Sequence, residues 1–529
     1  MFIDSREIES SEVRESDICV IGGGAAGITI AREFLSSPVS VAVIVGGGMQ
    51  PESRTQQLSD GEAVDDRYFP PITVAVRCLG GNTTHWGSWC RPFTELDFQE
   101  RPWVPYSGWP FTAADMATYY EKAHTQLKLG THTYDPDLCA RELGDPSYAP
   151  VHLAIPQLET KVWRFHKPPV CFGRDHESEL ASSRNISVYL DAHVLDINLS
   201  EDGSSVASIT ASTMEGKRIT FRARRYVLAA GGIQNPRLLL ANTAVHKNGI
   251  GNDHDVVGRY FMDHPHLHAN GLVILNDVSL YPNLYDTNSQ YSKMLVGGYC
   301  PTEEYQRTAQ IMNCAVNFKP SHRVVAVSGA SRDVGEGATS LWDDVANFPG
   351  KAYRRIRKAF GYKNTYAPER PFLDVITRCE QSPNPLSRVT LTPDRDALGM
   401  PKVRIDWRVT GLERRTIYET HRRFAEGVGA ASLGRVKLEI GESSLEDGVE
   451  WNTTGENGRF EGGWHQMGAT RMSSNPRLGV VDANCRVHGM SNLFITGASV
   501  FPTSSAFNPT MTLVALAFRL ADHLKHTTS

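Results

Sequence analysis

The stretch Asp17-Ile-Cys-Val-Ile-Gly22-Gly-Gly24-Ala-Ala-Gly27 decides the fold. Its apolar opening reads as a buried parallel strand. The residues after it, Ile28, Ala31, Phe34 and Leu35, fall on one helical face, predicting a helix over residues 28–35. Val41-Ala-Val-Ile-Val45 then reads as a second buried strand, so strand, glycine turn, helix and strand form one βαβ unit. In that context GxGxxG marks a dinucleotide site. Gly22 permits the tight turn, Gly24 lets the backbone approach a pyrophosphate, and Gly27 lets helix and strand pack closely. Ala25 and Ala26 open the helix whose N-terminus favours the phosphate charge. The second strand departs from the pattern: it ends Ile44-Val45-Gly46-Gly47-Gly48, with Val45 where an acid ordinarily meets the adenosine ribose. Either binding is weaker, or another group such as Glu52 reaches the ribose.

A chain of 529 residues exceeds one simple core, and two domains are the natural expectation. A net charge of −5 offers no footprint for nucleic acid or an anionic membrane. The nine cysteines are scattered without CxxC spacing, so no zinc ribbon, iron–sulfur cluster or haem relay is expected, and no metal site is assigned. Residues 1–15 are polar and acidic, unlike a secretion signal, and no apolar run approaches the roughly 20 residues of a membrane span. These features predict a soluble, cytoplasmic protein without an integral membrane segment.

Residues 55–135, rich in Gly, Pro and aromatics, read as long functional loops. Strands are expected around 186–197 and 206–226, with a hairpin over Ser208–Ser212 and the turn Glu215-Gly-Lys. Lys351–Phe360 reads as a basic amphipathic helix, a solvated surface element or else a membrane or partner contact. A final helix is expected over residues 509–525.

Five ordered motifs resemble the glucose–methanol–choline (GMC) oxidoreductase family, and are most similar to its pyranose-oxidase-like and bacterial sugar dehydrogenase branch. They are the glycine turn, Leu79-Gly-Gly-Asn-Thr-Thr-His-Trp-Gly87, Tyr226-Val-Leu-Ala-Ala-Gly-Gly-Ile-Gln-Asn-Pro-Arg-Leu-Leu-Leu240, Gln381-Ser-Pro-Asn-Pro-Leu-Ser-Arg-Val-Thr-Leu391, and the stretch from Trp464 to Leu513. The resemblance implies an α/β fold: a Rossmann-type FAD domain from residues 14–110, 185–265 and 455–529, with a substrate domain on an antiparallel sheet from 111–184 and 266–454. It implies FAD contacts from Gly81, Asn82, Thr83, Thr84, His85, Trp86 and Gly87. Further contacts are implied for Val194, Ala230, Gly231, Ala498 and Pro509, and Thr510 is implied at the flavin's pyrimidine edge. His85 stands where some relatives bond the flavin covalently; alternatively it only packs beside the ring.

The same resemblance implies that His465 is the base and Asn508 the hydroxyl-orienting partner in oxidation of an alcohol by hydride transfer to flavin N5. Histidine suits the first task because its ordinary pKa lies near neutrality. The expected substrate is a small-molecule alcohol, a sugar or glycoside secondary hydroxyl, with oxygen or a separate acceptor reoxidising the flavin. A non-sugar alcohol is the alternative, and a non-catalytic protein with a degenerate flavin site is a third reading. Trp86, Trp89, Trp103, Tyr106 and Trp109 are either sugar-stacking surfaces or packing residues.

Overall fold

The computed structural model describes residues 1–65, 67–288, 294–321, 372–440 and 460–528. Its first large sheet runs in the order Phe2–Asp4, Ile186–Leu190, Val41–Ile44, Val13–Ile21, Arg218–Leu228, Val206–Ser212, His193–Leu199, with Leu493–Ile495 pairing on Arg218–Leu228. The central pairs are parallel, Val20 facing Val43 on one side and Val227 on the other. Ile18, Cys19, Val20 and Ile44 are at most 1 % exposed, which is why this strand sequence is continuously apolar and not alternating. Val206–Ser212 pairs antiparallel with both its neighbours, forming the hairpin read from the sequence.

The first helix spans Ala25–Glu33, with Gly24 as its N-cap and no side-chain cap. It therefore begins at the glycine turn, three residues before the apolar face that marks it in sequence. The C-terminal helix Thr510–Thr528 packs against it.

The second sheet is antiparallel, ordered Gly434–Leu438, Pro265–Leu275, Phe372–Cys379, Cys314–Pro320, Leu295–Pro301, Leu158–Arg164, with Phe460–Gly462 on Pro265–Leu275. The helix Gly411–Ala430, opened by a Thr410–Glu413 capping box, packs on it. In this sheet Arg378 lies directly opposite both His266 and Ala315. A small third sheet joins Gly61–Ala63 to Pro401–Asp406 and Arg388–Arg395, tying the early loop region to the later chain. A fully buried ion pair, Arg101 with Glu380, makes a similar long-range tie.

Two elements differ from expectation. Within 55–135 lies a 14-residue helix, Ala113–Gln126, whose Thr112–Asp115 capping box and buried Met116, Tyr120 and Ala123 give it a start signal and an apolar stripe. Its aromatic, glycine-rich surroundings mask that pattern. At the N-terminus, Phe2–Asp4 adds a parallel edge strand that the sequence reading did not assign. The basic segment Lys351–Phe360 lies outside the described residues.

Candidate active site

One cavity lies against the first sheet, and the glycine turn lies on its wall. A Cβ on Gly22, where φ is +117°, would stand 2.4 Å from the Ala229 carbonyl oxygen. A Cβ on Gly27 would stand 1.9 Å from the Gly22 carbonyl oxygen, whereas one on Gly24 would meet nothing within 4 Å. Two glycines thus serve close backbone packing, and the one between them opens the turn to a ligand. These are the three demands of a dinucleotide pyrophosphate, so the residues present fit FAD.

Gly22, Gly24, Ala25 and Ala26 line the cavity. So do Gly81, Asn82, Thr83, His85, Trp86 and Gly87. Val194, Ala230, Gly231, Ala498, Pro509 and Thr510 line it as well. Gly27 and Thr84 do not. Gly27 is occupied with the helix–strand contact above, and Thr84 turns back to donate to the Gly81 carbonyl at 2.9 Å. Asn82 holds its own loop, accepting from the Val76 N–H and donating to the Val74 carbonyl, each at 2.9 Å. Glu52 is exposed and does not line the cavity.

Of the five aromatics, Trp86 and Trp89 line the cavity. Trp103 donates to the Ile311 carbonyl, Trp109 donates to Thr503 within a cluster of phenylalanines, and Tyr106 packs edge-on against Tyr260. Trp103 and Trp109 are packing residues because each ring finds its partners within the protein, whereas Tyr106 is 45 % exposed and lies off the cavity wall.

His465 and Asn508 meet at the far end. Trp464 adopts φ +65°, an uncommon conformation for a non-glycine residue, and it turns His465 into the cavity. The turn is clamped by Asp263, whose carboxylate accepts from the backbone N–H of Gly463 at 3.0 Å and of His465 at 2.8 Å. The Tyr68 hydroxyl donates to the other Asp263 oxygen. Burial nonetheless pushes the Asp263 carboxyl up to about 7. Gln381 secures both arms of the site: its side-chain oxygen accepts from the Asp263 N–H, and its backbone N–H donates to Ser504.

The hydrogen bonds fix the tautomers. The Ser504 carbonyl can only accept, so His264 donates to it through Nε2, at 3.1 Å. Neutral His264 then presents a bare Nδ1, which must accept from His465 Nδ1–H at 2.9 Å. That leaves His465 Nε2 with its lone pair, 3.1 Å from the Asn508 amide nitrogen. The Asn508 orientation is fixed in turn because its oxygen accepts from Arg378 at 3.2 Å. Burial, then His264, then Arg378 hold His465 well below the ordinary histidine value, while burial takes His264 down to about 3. Both imidazoles are therefore neutral at physiological pH, as the tautomer argument requires.

Asp263, His264, His266 and Arg378 were not singled out from the sequence. A signal was present: His264, His266 and His268 alternate in Asp263-His-Pro-His-Leu-His268, the period that puts side chains on one face of a strand. The imidazoles of His264, His266 and His465 bring one ligand nitrogen each within 4.8 Å. Their nitrogens are engaged with one another, with Ser504 and with Arg378, and the nearby guanidinium opposes a second cation.

Comparison with known proteins agrees with this architecture. Two family models described as GMC oxidoreductase match, over residues 179–266 and 383–517. The fructose dehydrogenase large subunit of Gluconobacter japonicus is 26 % identical, with 97 % of this chain and 98 % of that protein covered. The 6'''-hydroxyparomomycin C oxidase of Streptomyces lividus is 26 % identical, covering 96 % and 92 %. The 2-methyl-1,2-propanediol dehydrogenase of Mycolicibacterium austroafricanum is 23 % identical, covering 96 % and 95 %. Among solved structures, formate oxidase superposes with a TM-score of 0.58 at 17 % identity, covering 98 % of this chain and 99 % of that one. Pyridoxine 4-oxidase from Mesorbium loti gives 0.57 at 16 %, covering 97 % and 99 %. With GMC oxidoreductase models matching residues 179–266 and 383–517, with relatives similar over nearly the whole chain, and with a glycine turn that fits FAD, the chain belongs to the GMC oxidoreductase family of FAD-dependent enzymes that oxidise alcohols.

Proposed function

We propose that the chain oxidises a secondary hydroxyl of a sugar or glycoside, with His465 as base and Asn508 as the partner that orients the hydroxyl. The observation carrying this reading is the unprotonated Nε2 of His465, fixed by the hydrogen-bond chain from Ser504 through His264 and accepting from the Asn508 amide at 3.1 Å. A substrate hydroxyl that takes over this hydrogen bond donates its proton to His465 Nε2 and accepts from Asn508 Nδ2. Arg378 polarises that amide through its oxygen, and its charge favours the developing alkoxide. Bound FAD supplies the hydride acceptor. The site's own work is to take the proton and hold the carbinol in one orientation. Trp86 and Trp89 contribute aromatic surface to the cavity wall, with Trp89 also packed by Trp163, Phe165 and the Arg378 guanidinium.

The carbohydrate assignment draws on relatives named for fructose, hydroxyparomomycin and C-glycosides. A relative named for 2-methyl-1,2-propanediol favours the second reading, a non-sugar alcohol. Oxygen or a separate acceptor reoxidises the flavin in either case. No described helix is long and apolar enough to cross a membrane, and the nine cysteines are free thiols, which suits work in the reducing cytoplasm. Anaerobic addition of sugars and glycosides to the purified holoprotein is expected to bleach its visible flavin band. Bleaching by simple diols alone would transfer the assignment to the second reading.

His85 lines the cavity beside Trp464, with ring centroids 6.1 Å apart, and burial lowers its pKa. A neutral imidazole on the wall suits covalent attachment to the flavin. Acid precipitation is expected to leave yellow colour in the protein pellet and a colourless pellet in His85→Ala. A colourless wild-type pellet would leave His85 as a packing neighbour of the ring.

A further inference from the structure

The strand Val41–Ile44 ends without the acid that ordinarily holds the adenosine ribose, and the structure shows what stands there instead. The two residues after Val45 are glycines because a neighbouring segment presses on them. A Cβ on Gly47 would lie 2.2 Å from the Arg77 carbonyl oxygen. One on Gly46 would lie 2.9 Å from Arg77 Nη2 and 3.6 Å from His193 Nδ1. Any larger residue at either position would expel Arg77 from the strand end.

Arg77 is seated with care. Its backbone N–H donates to the Gln56 side-chain oxygen at 3.1 Å, and its Nε donates to the Gly46 carbonyl at 3.3 Å. The Gln56 amide nitrogen donates in turn to the Ile72 and Ala75 carbonyls, fixing the segment that carries Arg77. The two outer guanidinium nitrogens make no hydrogen bond, and Arg77 has no ion pair among the described residues. Arg237, also on the cavity wall, is by contrast neutralised by Asp396 at 2.7 Å.

His193 is 1 % exposed, and neither of its ring nitrogens has a partner. The Ser59 hydroxyl, likewise buried, is also unpartnered. Arg77, His193 and Ser59 all line the cavity that reaches the Gly22–Gly27 turn. Buried polar groups without partners are uncommon, and two on one cavity wall, beside the Arg77 guanidinium, describe a site suited to a polar ligand.

We propose that Arg77 and His193, with Ser59, form the adenosine-ribose site of FAD in place of the missing acid. A carboxylate can only accept from the ribose hydroxyls. Here the guanidinium donates to a ribose oxygen, and the bare nitrogen of neutral His193 accepts from a hydroxyl, so the pair meets both halves of a diol. This assignment rests on FAD being the cofactor.

The test is flavin binding to the apoprotein, followed by fluorescence, with FAD and FMN as the two probes. FMN ends before the adenosine. Arg77→Met is expected to weaken FAD at least about tenfold while leaving FMN within about twofold. His193→Phe is expected to act in the same direction. Equal losses for both flavins, or no loss for FAD, would overturn the assignment and leave Arg77 as a support of its loop. On the wild-type apoprotein, which needs no variant to fold, ADP is expected to compete with FAD several-fold better than 2′-deoxy-ADP. Equal competition would overturn the ribose contact, and stronger competition by 2′-phosphorylated ADP would give Arg77 to a phosphate. Failure of the wild-type apoprotein to take up FAD at all would instead reject the cofactor, and this assignment with it.

Discussion

His465→Gln is expected to slow anaerobic flavin reduction by on the order of 10² or more at saturating substrate, with FAD still bound. Glutamine keeps a polar side chain of similar reach, but it carries no basic lone pair. The loss therefore belongs to proton transfer and not to a collapsed cavity. The expected magnitude also depends on the tautomer. The Ser504 carbonyl dictates that His264 accepts from His465, and this alone points the bare His465 nitrogen at Asn508. His264→Leu removes the acceptor that selects this tautomer, and a drop of about tenfold is expected. Because burial, His264 and Arg378 hold His465 below its ordinary value, the wild-type rate stays level through neutral pH and falls only below the usual histidine range. Stopped-flow reduction of the holoprotein by the best alcohol donor checks all three. Near-wild-type reduction in His465→Gln would remove His465 from the chemistry.

The parts of this site that were legible in sequence are those encoded locally. Gly22, Gly24 and Gly27 carry their roles in their spacing, and His465 and Asn508 sit in short motifs beside recognisable turns. What stayed hidden depends on pairing between distant strands. Arg378 reaches Asn508 only because Phe372–Cys379 lies antiparallel to Pro265–Leu275, with Arg378 opposite His266. That register is set by the whole sheet and not by residues near Arg378. Asp263 acts through a carboxylate clamp 200 residues away in sequence from Gly463. Val45 was legible as a departure, yet its counterpart Arg77 lies in a segment whose contact with Gly46 and Gly47 appears only in three dimensions. The helix Ala113–Gln126 was overlooked although its capping box and apolar stripe are both local, because the composition around it outweighed the period within it.

Acidification is expected to destabilise the protein steeply below pH 6.5. Burial lowers His124, His176 and His421 to about 4, and His193 and His264 to about 3. All five are at most 5 % exposed, so solvent does little to screen the penalty for charging them. Between those values and about 6.5 the unfolded chain binds more protons than the folded one, so stability is full above 6.5 and lost as pH falls. At pH 5 each histidine gives up about 2 kcal/mol, or roughly 10 kcal/mol for the five. Buried carboxyls, Asp263, Asp97, Asp191 and Glu413, oppose this. Burial raises Asp263 to about 7 and Asp97 to about 6, so the folded state gains protons at these sites as pH falls. The histidines outnumber these carboxyls, so the net effect of acidification is a loss of stability. Thermal midpoints measured from pH 8 to pH 4.5 should hold steady to about 6.5 and then fall sharply. His421 isolates one share of the effect: Thr377 bonds its Nε2 at 2.6 Å, while its Nδ1 is buried without a partner. His421→Gln cannot be protonated there, and it should reduce the acid slope by one proton's worth. A midpoint that stays level from pH 7 to pH 5 would mean that these imidazoles find solvent or new partners when charged, and that the buried neutral histidines do not set the acid limit of the fold.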